Sequence, residues 1–207
     1  MYAPEVYRET DLGRMARLIR ETGFGLLIST DGRGIMTTYA PMLLEADGDG
    51  PLRIIGHIAR ANEQWRRTAE GSEVVALFTG PHGYITPRWY RDEPDVPTWN
   101  YRAVEARGRF TLITDASEVR SLLSRSVDHF EHLADGAWAL GDIDEKVVEG
   151  FQRGVAAFAI NDISLSAATK HSQDKTPTDR ERVIEGLIGA GRADLASDMI
   201  GEEANGL

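Results

Sequence analysis

An antiparallel β-barrel with peripheral helices, an α+β fold in which strands dominate, is what this sequence predicts, and three observations predict it. Short apolar or alternating runs recur between tight turns. Few of the connecting segments hold a helical pattern, and the strands do not alternate with helices as βαβ units would require. The remaining helix-compatible stretches gather late in the chain.

From Thr10 onward, Leu12, Met15, Ala16, Leu18 and Ile19 share one helical face, and Gly23 stops the helix. Strands at 24–30 and 35–46 form a hairpin across Asp31-Gly32-Arg33-Gly34, whose Asp-Gly pair supplies the positive φ such a turn needs. A second turn, Asp47-Gly48-Asp49-Gly50, leads into a strand at 52–58. Residues 61–70 are polar and helix-compatible, closed by Gly71, and 72–78 reads as a buried strand.

Pro97 fixes its own φ and biases Val96 toward extended backbone, so Val96-Pro97-Thr98-Trp99-Asn100-Tyr101 launches a partly alternating strand at 102–113. Trp89, Tyr90, Trp99 and Tyr101 thereby crowd around loop 91–96. Such a cluster serves either a planar ligand or partner chain, or the packing of a hydrophobic corner. Helical spacing returns at 116–134, a last strand runs over 155–166, and a loop holds Lys170-His171-Ser172-Gln173. Thr178 with Glu181 forms a capping box for a helix at 179–188, and an acidic, glycine-containing segment ends the chain.

The 207 residues suffice for a substantial core, and 42% hydrophobic with 27% charged residues describes an ordinary globular protein. No apolar run approaches the roughly 20 residues that cross a bilayer, so no membrane partner is expected. The N-terminus lacks the basic and apolar regions of a signal peptide, and a cytoplasmic location is expected. Cysteine is absent, which removes disulfides and thiolate catalysis. His129 and His132 are the one close histidine pair; they pair with Asp128 and Glu131 or with solvent, and no metal site is expected. A formal charge of −10 without a basic stripe argues against direct DNA binding, and Arg14, Arg17 and Arg20 read as the wet side of a helix.

No GxGxxG, P-loop or GxSxG pattern is present, so the chemistry must be sought elsewhere. His57, Arg60 and Asn62 close a strand and open a helical segment, where backbone N–H groups and a guanidinium can receive a phosphate. Equally, Asn62 can be a helix cap and Arg60 a surface residue. Thr37 and Thr38 lie on the neighbouring strand, where ordinary β-propensity also explains them. A phosphate site beside aromatic side chains describes a nucleotide-like or flavin-like ligand.

Several motifs carry a resemblance: Met1-Tyr2-Ala3-Pro4, Gly56-His57-Ile58-Ala59-Arg60-Ala61-Asn62-Glu63-Gln64-Trp65, the run from Phe78 to Tyr90, Val96 to Tyr101, and Lys170-His171-Ser172-Gln173. In this order they resemble the PaiB-type family of FMN-binding negative transcriptional regulators, over a domain of residues 1–191 followed by an acidic helix or tail at 192–207. The resemblance implies an FMN-binding split β-barrel, homodimeric, with cofactor sites at the interface. It implies that His57, Arg60 and Asn62 lie near the flavin phosphate, with Thr37 and Thr38 along the same groove. Trp99, Asn100 and Tyr101 would then lie near the cofactor or dimer seam, and Lys170 and Gln173 would close the pocket. Glu105 and Asp174 stand where the family usually carries His and Asn, which lowers the expected FMN affinity.

Three function classes follow. One is a homodimeric FMN-binding regulator. Another is an FMN-dependent oxidoreductase of flavin-reductase type with a small-molecule redox substrate; there the cofactor carries the chemistry and no catalytic residue is assigned. The third is a haem-binding or cofactor-free regulatory barrel working through protein partners, with His57, His82 or His171 as iron ligands.

Overall fold

The computed structural model describes residues 1–46, 51–92 and 95–204, so the turn expected at 47–50 lies outside the described residues. Seven strands and six helices follow one another: β1 (Arg8–Glu9), α1 (Leu12–Thr22), β2 (Phe24–Thr30), β3 (Ile35–Ala46), β4 (Leu52–Ala59), α2 (Gln64–Arg67), β5 (Glu73–Ile85), β6 (Thr98–Ile113), α3 (Ala116–Leu133), α4 (Glu145–Gly154), β7 (Val155–Lys170), α5 (Pro177–Gly189) and α6 (Ala193–Ala204). The strands form one antiparallel sheet ordered β1-β7-β4-β3-β2-β5-β6, and an added β6–β7 pairing closes it into a partial ring. This is the antiparallel barrel that the short strands predict, in the split-barrel form that the resemblance implies.

The chain divides into two compact units. One unit comprises Leu12–Phe78 and Glu105–Leu165 and holds the barrel. Its hairpin register sets Leu27 opposite Thr38, and β4 meets β7 with His57 opposite Ala157. Alternation along β2 sends Leu27 inward, while Phe24 stays exposed and stacks on Tyr39 at 5.6 Å. Phe110 and Phe158 stack inside at 5.7 Å. Gly56 is required here, because a Cβ would come within 2.8 Å of Met42, Phe158 and the Pro41 carbonyl. On the outer side α3 and α4 cover the sheet through Leu122, Leu123, Val148, Ile55 and Ala157.

The other unit comprises Met1–Asp11, Thr79–Val104 and Ser166–Leu207. Its core joins Ile85 and Tyr90 to Val183, Leu187, Leu195 and Met199 of α5 and α6, with Trp89 packed against them. Trp89 fits because residue 186 is Gly: a Cβ there would stand 2.3 Å from the indole ring.

Several local expectations change; among them, strand β7 runs on to Lys170, which the sequence places in a loop, and β6 begins at Thr98. The helix expected over 61–70 contracts to α2, because the chain from Ala59 first closes a turn, with Asn62 N–H donating to the Ala59 carbonyl at 2.9 Å. The strand expected to end at 78 continues through Pro81 to Ile85. Helix α5 starts two residues early, since Pro177 suits the first helical position and the Thr176 hydroxyl, not that of Thr178, accepts from Asp179 N–H. Helix α4 was not anticipated; Asp144 caps it by accepting from Lys146 N–H at 2.8 Å.

Candidate functional site

Residues 57–66 make the most structured polar junction of the barrel unit. Strand β4 ends at Ala59, and the next N–H, that of Arg60, donates to the Gly154 carbonyl at 2.8 Å, fixing where the turn departs. Asn62 then works on both sides. Its Oδ1 accepts from Gln64 N–H at 2.9 Å, and its Nδ2 donates to the Thr38 hydroxyl at 2.8 Å. That hydroxyl in turn donates to Gln64 Oε1.

Gln64 is the hub, only 3% exposed. Its amide donates to Ser29 Oγ at 3.0 Å and reaches the Leu27 and Met36 carbonyls at 3.3 Å, while Ser29 meets Thr68 at 2.8 Å. Thr38 and Asn62 therefore spend their hydrogen-bonding capacity on the fold, holding the turn against β2 and β3. Thr37, next along β3, is exposed on the opposite face.

Held this way, the turn presents cations. Trp65 donates its indole N–H to the Arg60 carbonyl at 3.0 Å. The Arg60 and Arg66 guanidinium groups lie 4.9 Å and 4.7 Å from the Trp65 ring centroid. Neither has a carboxylate partner among the described residues, unlike Arg67, which pairs with Asp31 at 2.7 Å. Two guanidinium groups on one indole without carboxylate partners among the described residues have the chemistry to attract an anion. Sequence reasoning named Arg60 but missed Arg66 and Trp65; the signal was the Trp65-Arg66 pair shortly after Asn62.

His57 sits differently. Its Nδ1 is buried without a hydrogen-bond partner, and burial pushes its pKa below the ordinary histidine value, so the ring is neutral at pH 7.

The remaining expected residues belong to the other unit. Asn100 is fully buried, donating to Ser172 Oγ at 2.9 Å and toward Met199 Sδ at 3.5 Å; Ser172 holds a left-handed φ of 57° to receive it. Lys170 donates to the Thr98 hydroxyl at 2.6 Å and lies 4.9 Å from the Tyr7 ring centroid. Burial first, and then Asp174, push the Tyr7 phenol up to about 12. Gln173 accepts from His171 N–H at 2.7 Å and donates to the Thr169 and Val6 carbonyls, so it ties the end of β7 to the N-terminal segment. Tyr101 is half-buried. Of these five residues Trp99 alone is exposed, at 55%, with Tyr84 edge-on at 6.2 Å and His82 at 6.4 Å. The aromatics around loop 91–96 thus separate: Trp89 and Tyr90 serve the core, and Trp99 faces solvent.

The Glu105 and Asp174 carboxylates both have cationic neighbours. Glu105 pairs with Arg107 at 3.3 Å, and Asp174 pairs with Lys175 at 2.7 Å.

Residues 1–162 match the family model described as "Putative FMN-binding domain". The chain belongs to this FMN-binding-domain family. A relative from Bacillus subtilis (strain 168), "Protease synthase and sporulation protein PAI 2", is 31% identical over 187 residues, covering 90% of this chain and 89% of that protein. The PaiB-type resemblance is therefore borne out.

Two solved structures share the fold of this FMN-binding-domain protein. One is the FAD and haem binding protein of Mycobacterium smegmatis, with a TM-score of 0.59 at 18% identity over 89% of this chain and 80% of that one. The other is the flavocytochrome Anf3 of Azotobacter vinelandii, with a TM-score of 0.61 at 14% identity over 87% of this chain and 78% of that one. No helix among the described residues is long and apolar enough to cross a membrane.

Proposed function

We propose that this protein is an FMN-binding, homodimeric split-barrel regulator of the PaiB type, and that the flavin phosphate is held by Arg60 and Arg66. The observation that carries this reading is the pair of guanidinium groups on Trp65 without carboxylate partners. A phosphate monoester carries close to two negative charges at neutral pH, and two guanidinium groups match it in charge. The Asn62–Thr38–Gln64 network keeps the turn in one conformation, so the ordering cost of the site is met in folding rather than in binding. When bound, FMN supplies one- and two-electron redox chemistry; the residues of this chain bind and orient it.

Pairing of two copies is supported by aromatic surface on each unit: Trp99 with Tyr84 on one, and Phe24 stacked on Tyr39 on the other. The regulatory part of this reading is suggested by the name of the Bacillus subtilis relative, a sporulation protein. With a net charge of −10, regulation runs through a partner or through the bound flavin rather than through direct DNA contact.

The visible spectrum of freshly purified protein tests the reading. Flavin absorption bands that survive gel filtration, or that develop at one equivalent on FMN titration, are expected. A colourless protein that neither quenches nor shifts FMN fluorescence contradicts it.

A further inference from the structure

The barrel unit contains a cavity of about 420 Å³, separate in character from the arginine pair. Its walls are Pro41, Leu123, Val127, Phe130, Leu140 and Val155, with Trp138 and Phe151 partly exposed at its rim. No charged side chain lines it. Two polar side chains do, and they differ. Ser126 already donates its hydroxyl to the Leu122 carbonyl at 2.9 Å. His57 has no hydrogen-bond partner among the described residues: its Nδ1 is buried and unpaired, and the residue lines the cavity.

Helix α4 contributes Gly150, Phe151 and Gly154 to the lining. Gly150 and Gly154 stand four residues apart on it, both line the cavity, and a Cβ at either would meet no atom within 4 Å.

We propose that this cavity binds a small neutral aromatic molecule of one to three rings that carries one hydrogen-bonding oxygen, directed at His57. Its volume lies in the range of small-ligand sites, which runs from about 300 to 1,000 Å³. Apolar walls and rim aromatics favour a planar hydrocarbon frame, and a charged ligand would find no counter-ion inside. Neutral imidazole offers one donor or one acceptor according to tautomer, and a single hydroxyl or carbonyl oxygen answers either. The ligand goes beyond the flavin reading and does not depend on it.

Fluorescence titration of the full chain, with and without FMN, using 2-naphthol, naphthalene and naphthalene-2-sulfonate as probes, tests the proposal. Saturable one-to-one binding of 2-naphthol is expected, with a dissociation constant on the order of 100 μM or tighter. Naphthalene should bind about two- to tenfold more weakly, by the loss of one hydrogen bond, and the sulfonate at least about tenfold more weakly. His57→Phe should erase the preference for 2-naphthol over naphthalene while keeping both. Gly150→Phe fills the cavity and should abolish binding of both neutral probes at an unchanged melting temperature, with Gly150→Leu as the milder replacement if the first fails to fold. Arg60→Ala/Arg66→Ala should leave 2-naphthol binding unchanged, which separates this site from the phosphate site. The proposal is overturned by non-saturable 2-naphthol binding, by equal affinity for the sulfonate, or by stoichiometric displacement of the probe by FMN. It is also overturned if Gly150→Phe converts a dimer to monomer, since a second copy would then be the occupant.

Discussion

The amide of Gln64 donates to the Ser29 hydroxyl at 3.0 Å, joining a four-residue helix to a barrel strand through the interior of the unit. The same side chain receives Thr38 and reaches two backbone carbonyls, so the turn that carries Arg60 and Arg66 is fixed by one buried residue. Replacing Gln64 by Leu keeps roughly the volume but removes the acceptor of the Thr38 O–H and the donor shared by Ser29 and the Leu27 and Met36 carbonyls. The expected loss is about 2–4 kcal/mol of unfolding free energy, because several buried polar groups lose partners at about 1–3 kcal/mol each with partial relaxation. Urea denaturation checks this; a loss below about 0.5 kcal/mol would mean the network does not brace the turn.

The barrel was legible because its strands obey alternation and its first turn carries Asp-Gly; β2 and β3 begin and end where that pattern does. Asn62 was legible only as a polar residue at a helix start: it accepts from Gln64 N–H in an Asx turn one position before the Glu63 N-cap, rather than capping the helix itself. The hub at Gln64 was not, since its partners come from residues 26 to 37 positions away and nothing local marks them. The arginine pair was half legible: Arg60 follows a strand end, but Arg66 reaches the site only because α2 is a single turn. The family motif at Trp99-Asn100-Tyr101 conceals three different environments, since strand alternation buries Asn100 while Trp99 faces solvent.

Acid should weaken the barrel through His57. Burial holds its folded pKa below the unfolded value, so the unfolded chain binds the proton more readily. The stability associated with the neutral ring is fully present above about pH 6.5, the unfolded value, and is lost as pH falls through the depressed folded value. Melting temperatures of wild type and His57→Phe between pH 8 and pH 5 check the sign. The wild type should lose more than the variant on acidification, and parallel curves would show that His57 does not contribute.

Trp99 is exposed and contributes little to its own unit, so Trp99→Ala should change stability by no more than about 0.5 kcal/mol. As a contact between copies it should matter far more. A tryptophan at the centre of an interface costs about 2 kcal/mol or more on truncation, a roughly thirtyfold weakening of association. Sedimentation equilibrium of both proteins is the check. A monomeric wild type at micromolar concentration, or an unchanged dimer in the variant, would remove Trp99 from the interface.

Arg60 and Arg66 on Trp65 are expected to receive the flavin phosphate, and comparison of FMN with riboflavin isolates that phosphate. Each charge-assisted contact contributes about 1.5–3 kcal/mol, so wild type should bind FMN at least about a hundredfold more tightly than riboflavin. In Arg60→Ala/Arg66→Ala that ratio should fall toward one, with riboflavin affinity and the circular dichroism spectrum unchanged. Fluorescence titration of both flavins against both proteins is the direct measurement, and an FMN-to-riboflavin preference that survives the double substitution would contradict the account.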